Sequence, residues 1–161
     1  MENEIIVGIG GAAGDGGAST GDNLALACAR QGLHVYVYTS YQSLIRGGHS
    51  WIRQRISTKK VTNVGDQVSA MIALNQDSMD RHLQELKSGG LCVYNGDKVK
   101  PGKAPEGVQL CPLPVFDLAG KDALPIMQNT VALGALTGLL GLEFESLSSV
   151  FEHTFKKKPQ V

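Results

Sequence analysis

The chain has 161 residues, enough for one buried core and little more. Fifteen Lys and Arg balance fifteen Asp and Glu, 19% of residues are charged and 42% are hydrophobic. The charge balance gives no field to draw nucleic acid or an anionic membrane, and the composition is that of an ordinary globule. Glycine is high at 20 residues, with no collagen-like period.

Residues 4–9 are an apolar run that leads into glycines, the pattern of a buried strand. A glycine loop follows over residues 8–17. Ser19 or Thr20 can cap a helix to about Gln31, with Leu24, Ala27 and Cys28 on one face and Gly32 as its stop. Residues 33–38 are a second strand, so the first forty residues predict a parallel βαβ unit. Residues 51–56 alternate bulky and polar side chains, which predicts a strand with one wet face.

Residues 68–74 form another buried run. Asn75 or Asp77 caps a helix to about Lys87, stopped by Gly89 and Gly90. Strands at 91–94 and 108–111 come next, then a long helix over 122–140 with Pro125 near its start. Leu147, Val150, Phe151 and Phe155 mark a last amphipathic helix. The alternation predicts an α/β fold of three layers: a mostly parallel sheet with helices on both faces, Rossmann-like. Gly134 and Gly138 put small residues on one helix face, which permits close packing against another subunit or, as the preferred reading, within the domain.

Cys28, Cys92 and Cys111 are widely spaced and read as small core hydrophobes in an intracellular protein. The cytoplasm is the expected location. The longest mainly apolar run, residues 131–142, is too short to span a bilayer.

Ligands of such sheets bind at the carboxyl ends of the strands, which singles out two loops. In the first, Gly10, Gly11, Gly14 and Gly16 precede a helix, where backbone N–H groups and the helix dipole favour an anion. The same glycines can equally serve only a tight turn and close helix–sheet packing. Asp15 would repel a phosphate unless it turns away. The second strand ends without the carboxylate that a nicotinamide cofactor needs. The second loop holds Arg46, Gly47, Gly48 and His49: a fixed cation, two glycines that admit close backbone approach, and a group that titrates near neutrality. His34, His82 and His153 have no company visible in the sequence, and no catalytic set or metal-ligand spacing is evident.

Two motifs together are more specific than either alone. Gly10, Gly11, Ala12, Ala13, Gly14, Asp15 and Gly16 are followed by Ser19 and Gly21. Tyr41, Ser43, Leu44, Ile45, Arg46, Gly47, Gly48 and His49 come later. This pair closely resembles the gamma domain of the 2-oxoacid:ferredoxin oxidoreductases. The resemblance continues through residues 52–57, 66–74 and Asn129, Ala132, Leu133 and Gly134.

It implies CoA-dependent oxidative decarboxylation of a 2-oxoacid such as 2-oxoglutarate or pyruvate. The products would be acyl-CoA, carbon dioxide and reduced ferredoxin. Thiamine diphosphate, magnesium and [4Fe-4S] clusters would sit mainly on alpha and beta domains, with none bound by this chain alone. The gamma domain would pack against them and help form the coenzyme A surroundings, with Arg46, Gly47, Gly48 and His49 touching coenzyme A phosphates or a partner domain. The Ala12–Ala13 form resembles the version fused in front of an alpha domain, so the chain is expected to be the single gamma domain of a longer polypeptide or complex. A stand-alone nucleotide-binding enzyme and a purely structural interaction module are the alternatives.

Overall fold

The computed structural model describes residues 4–42 and 47–156. Its strands are β1 (Glu4–Ala12), β2 (His34–Tyr41), β3 (His49–Ser57), β4 (Val68–Ala73), β5 (Leu86–Asn95) and β6 (Gln109–Leu113). Its helices are α1 (Gly17–Arg30), α2 (Gln76–His82), α3 (Val115–Ala119), α4 (Pro125–Leu139) and α5 (Phe144–Phe155). A single 3₁₀ turn, Leu83–Glu85, joins α2 to β5. The strands form one sheet in the order β2-β3-β1-β4-β5-β6.

The expected mostly parallel α/β sheet is present, with one correction. β1 and β2 are parallel but not neighbours: β3 lies between them and pairs antiparallel with both. The expected βαβ unit is therefore split. Its crossover helix, α1, spans a gap wide enough for the third strand. From β1 onward, β4, β5 and β6 pair in parallel.

Alternation along the strands builds two cores. Val7 and Ile9 of β1, Ile52 and Ile56 of β3 and Ala70 and Ile72 of β4 face α1, α4 and α5. There they meet Leu24, Cys28, Leu133, Leu136 and Leu147, each fully buried. Trp51, Met71, Ala73, Cys92 and Tyr94 face the other way and meet Met79 of α2 and Leu83. Each fully buried large side chain contributes about 1.5–3 kcal/mol of transfer free energy. Trp51 thus closes the face of β3 that was expected to be wet, and Arg53 and Arg55 on the same face are half-buried.

Other boundaries move for local reasons. Gly16, not Ser19 or Thr20, is the N-cap of α1, because its φ of 87° turns the chain into the helix earlier. Asn75 does cap α2: its Oδ1 accepts from the Ser78 N–H at 2.9 Å. That helix stops at His82, and Gly89 and Gly90 lie inside β5, where the register with β4 shifts. Pro112 fits β6 because that strand is a sheet edge. Pro125 opens α4 as expected. An added Cβ on Gly134 or Gly138 would meet nothing within 4 Å, so the expected close packing within the domain is absent at those glycines.

Candidate functional site

β1 ends at Ala12, and residues 13–16 turn the chain into α1. Gly14 and Gly16 have φ of 95° and 87°, a conformation that costs other residues about 1–2 kcal/mol. No side chain caps the start of α1, and its first turn carries no acidic residue. Thr20 turns back instead, its hydroxyl donating to the Gly16 carbonyl at 3.0 Å. The positive end of the helix therefore opens, unneutralised, toward a cavity of about 470 Å³. Gly14, Gly16, Gly17, Ala18 and Ser19 form one wall, and Thr39, Tyr41 and Ser50 form another. Among the described residues no charged side chain lines it, and the donors they offer are backbone N–H groups and hydroxyls. Asp15 is exposed and outside the lining, and its carbonyl accepts from Asn129 Nδ2 at 2.7 Å.

A larger hollow of about 960 Å³ lies at the opposite end of β1, against Glu4, Arg55, Asp66 and Lys87. Its main cation is already engaged: Arg55 reaches Glu4 at 2.7 Å and Asn63 at 2.6 Å. The ends of β1, β2 and β3 around the glycine turn are the better candidate.

The second loop returns to this turn. Ala13 N–H donates to the Gly48 carbonyl at 2.8 Å, and Gly47 N–H donates to the Ala13 carbonyl at 3.1 Å. The close approach that Gly47 and Gly48 permit is thus to the glycine turn itself. Arg46 lies outside the described residues. Gly10 and Gly11 sit within β1 rather than in the loop, and neither lines the cavity. A Cβ on Gly10 would come within 2.5 Å of Ser78 Cβ, so this glycine lets α2 pack on the strand. Of the residues singled out in sequence, Gly14 and Gly16 line the cavity, Gly47 and Gly48 pair with it, and His49 points elsewhere.

His49 reaches the other face of the sheet. Its Nε2 lies 2.7 Å from Nε2 of His82, and the rings stack at 4.9 Å. His82 in turn lies flat on Trp51, ring centroids 3.7 Å apart and planes within 1°. His82 Nδ1 is 2.6 Å from Glu85 Oε1. His49 Nδ1 is 3.0 Å from Asp77 Oδ2, but poorly aligned for a hydrogen bond. Arg81 pairs with Asp77 at 2.7 Å and holds that carboxyl below the usual range. Burial, and then the neighbouring His82, lower His49 below the usual histidine value. His82, which has no company visible in the sequence, is therefore the partner of His49. Only its place on α2, four residues past Ser78, could have hinted at this.

The described cysteines are not gathered as ligands of an iron–sulfur cluster would be. Cys28 is buried in one core and Cys92 in the other, on opposite faces of the sheet. Among the described residues, no three His, Cys, Asp or Glu side chains are placed to hold a metal ion. No described helix is long and apolar enough to cross a membrane.

A glycine turn feeding an uncapped helix, on a sheet with one antiparallel strand between β1 and β2, defines a Rossmann-like α/β domain. The chain belongs to the pyruvate ferredoxin/flavodoxin oxidoreductase family, whose sequence profile matches residues 6–161. It is 32% identical to the ketoisovalerate oxidoreductase subunit VorA of Methanothermobacter thermautotrophicus, over 98% of this chain and 33% of that subunit. It is similar in structure to the 2-oxoglutarate:ferredoxin oxidoreductase of Magnetococcus marinus, solved with 2-oxoglutarate, coenzyme A and succinyl-CoA bound. That likeness has a TM-score of 0.88 and 32% identity, over 98% of this chain and 28% of that one. The keto/oxoacid ferredoxin oxidoreductase gamma subunit of Geobacter sulfurreducens matches with TM-score 0.76 and 28% identity, over 97% of this chain and 88% of that one. The chain thus spans about a third of the length of the VorA subunits it matches, from Methanothermobacter thermautotrophicus and Methanothermobacter marburgensis.

Proposed function

We propose that this chain is the gamma domain of a 2-oxoacid:ferredoxin oxidoreductase, working beside alpha and beta domains in the cytoplasm. The whole assembly would convert a 2-oxoacid and coenzyme A to acyl-CoA and carbon dioxide and pass the electrons to ferredoxin. Thiamine diphosphate, magnesium and the clusters would belong to the partner domains. The observation that carries this reading is the uncapped start of α1, open to a cavity where the described residues offer donors but no charged group. Such a site can receive an anionic group. Its family membership supplies the reaction. Of the cofactors and co-substrates involved, coenzyme A fits here: a phosphate would lie against the N–H groups of Gly17 and Ala18, with Ser19 and Ser50 at its sides. Arg46 would supply the countercharge.

The test is turnover of the natively purified complex without oxygen. Viologen reduction is followed with a panel of 2-oxoacids, with and without coenzyme A. CoA-dependent reduction with one acid is the expected result. Arg46→Ala should then raise the KM for coenzyme A about tenfold, the loss of roughly one charge-assisted hydrogen bond to phosphate. No reduction with any acid, in a preparation lacking iron and thiamine, overturns the reading.

A further inference from the structure

The His49–His82 contact has no part in the anion site just proposed, yet it is the most heavily braced polar cluster among the described residues. Both rings are largely buried, each side chain 12% exposed. The 2.7 Å contact joins two identical atoms, Nε2 to Nε2. Such a contact needs one hydrogen between them, since two lone pairs repel and two N–H groups repel more. It holds when the pair is neutral, and it holds when the pair carries one charge. It fails when both rings are imidazolium, because each Nε2 then carries a hydrogen.

The contact joins two elements, α2 and β3, whose other polar side-chain tie is the poorly aligned approach of His49 Nδ1 to Asp77 Oδ2 at 3.0 Å. His82 ends α2, packed on Trp51. His49 begins β3, directly after the Gly47–Gly48 segment that pairs with Ala13 of the glycine turn. The His49 N–H is held by Gln42 Oε1 at 3.3 Å, a longer contact than the ring–ring one.

We propose that His82 is a positioning residue: it acts through His49 to hold the Gly47–Gly48 backbone on the glycine turn, and entry of a second proton into the pair releases it. The charged groups facing the pair have been assembled around this count. From α2, Asp77 favours a proton on His49 and Arg81 opposes it; from the 3₁₀ turn, Glu85 Oε1 lies 2.6 Å from His82 Nδ1. β3 contributes only the uncharged Trp51. The lowered value of His49 agrees in direction, because its folded state resists protonation. The sign follows: the contact stabilises the fold above the ordinary histidine value of 6.5 and is lost as pH falls through the lower folded value. The consequence for coenzyme A rests on the reading of the preceding section. The latch itself does not.

Hydrogen exchange of the full polypeptide, measured by mass spectrometry with the intrinsic rate divided out, tests the latch directly. Peptides carrying Ala13 and Gly47–His49 should lose protection on acidification, approaching tenfold per pH unit once release depends on one proton. His82→Phe keeps a ring on Trp51 but no nitrogen; it should expose these amides at every pH and flatten the profile. His82→Gln, whose amide can donate to His49 Nε2 or accept from it, should restore protection at neutral pH. Wild-type protection that is flat with pH, or His82→Phe protection equal to wild type, overturns the latch. In the active complex, the KM for coenzyme A should rise on acidification in the wild type and be raised at all pH values in His82→Phe. Normal exchange behaviour with an unmoved KM would sink the coenzyme A reading and leave the latch standing.

Discussion

At the scale of single residues, the glycines of this chain do opposite things. Gly10 is empty because α2 fills the space: a Cβ there would meet Ser78 Cβ at 2.5 Å and the Trp51 ring at 3.2 Å. Neither neighbour can retreat, since Ser78 is fully buried and Trp51 is clamped between β1 and His82. Gly10→Ala should therefore destabilise the fold by about 1–3 kcal/mol, the usual cost of overpacking. Gly138 lies in α4 with open space where a Cβ would go. Gly138→Ala should stabilise by about 0.5–1 kcal/mol through helix propensity and a less mobile unfolded chain. Urea midpoints of the two variants should move in opposite directions. A shared direction would mean that backbone freedom, not the local space, governs both. The sequence marks all these positions alike as glycine, and only their neighbours, dozens of residues away, separate them.

At the scale of elements, what could be read from the sequence was what is encoded locally. The apolar run of β1, the Asn75 cap, Pro125 at the start of α4 and the stop at Gly32 each depend on residues within one turn, and each stands as expected. The Trp51 strand was visible as a strand, but its place between β1 and β2 was not. Nothing in its alternation says which neighbour it pairs with. The site divides in the same way. Gly14 and Gly16 announced a turn before a helix, whereas the His49–His82 contact spans 33 residues and leaves no spacing to notice. α2 is the element where local and distant meet. Its Asn75 Oδ1 accepts from the Ser78 N–H and from the Ser78 hydroxyl, at 2.9 and 2.7 Å. Asn75→Ala removes this acceptor and both hydrogen bonds and should cost about 0.5–2 kcal/mol. Because His82 sits at the other end of this seven-residue helix, the same change should also weaken protection of Gly47 and Gly48. Asn75→Asp, which keeps an acceptor, should restore both. Lost stability with unchanged exchange at the glycines would show that α2 does not transmit its position to that segment.

At the scale of the molecule, one sheet serves two cores, and this decides how the domain comes apart. Along β4, Ala70 and Ile72 enter the core under α1, α4 and α5, while Met71 and Ala73 enter the core under α2. No strand residue can leave one core without its neighbour leaving the other, so the two should melt together. The cysteines report on this independently. Burial pushes Cys28 up to about 11 in the first core and Cys92, with help from Cys111, up to about 12 in the second. Thiolate is the reactive form, so neither should be alkylated in the native protein at pH 8, and each should react once its own core opens. Pulsed alkylation along a urea gradient, read peptide by peptide, should give the same midpoint for Cys28 and Cys92. Fluorescence of the single tryptophan, Trp51, buried in the second core, should share it. If Cys92 and Trp51 change at lower urea than Cys28, the α2 face opens by itself, and the sheet does not enforce a single transition. In that case the segment fastened to α2 through His49 would be free to move while the glycine turn and α1 remain in place.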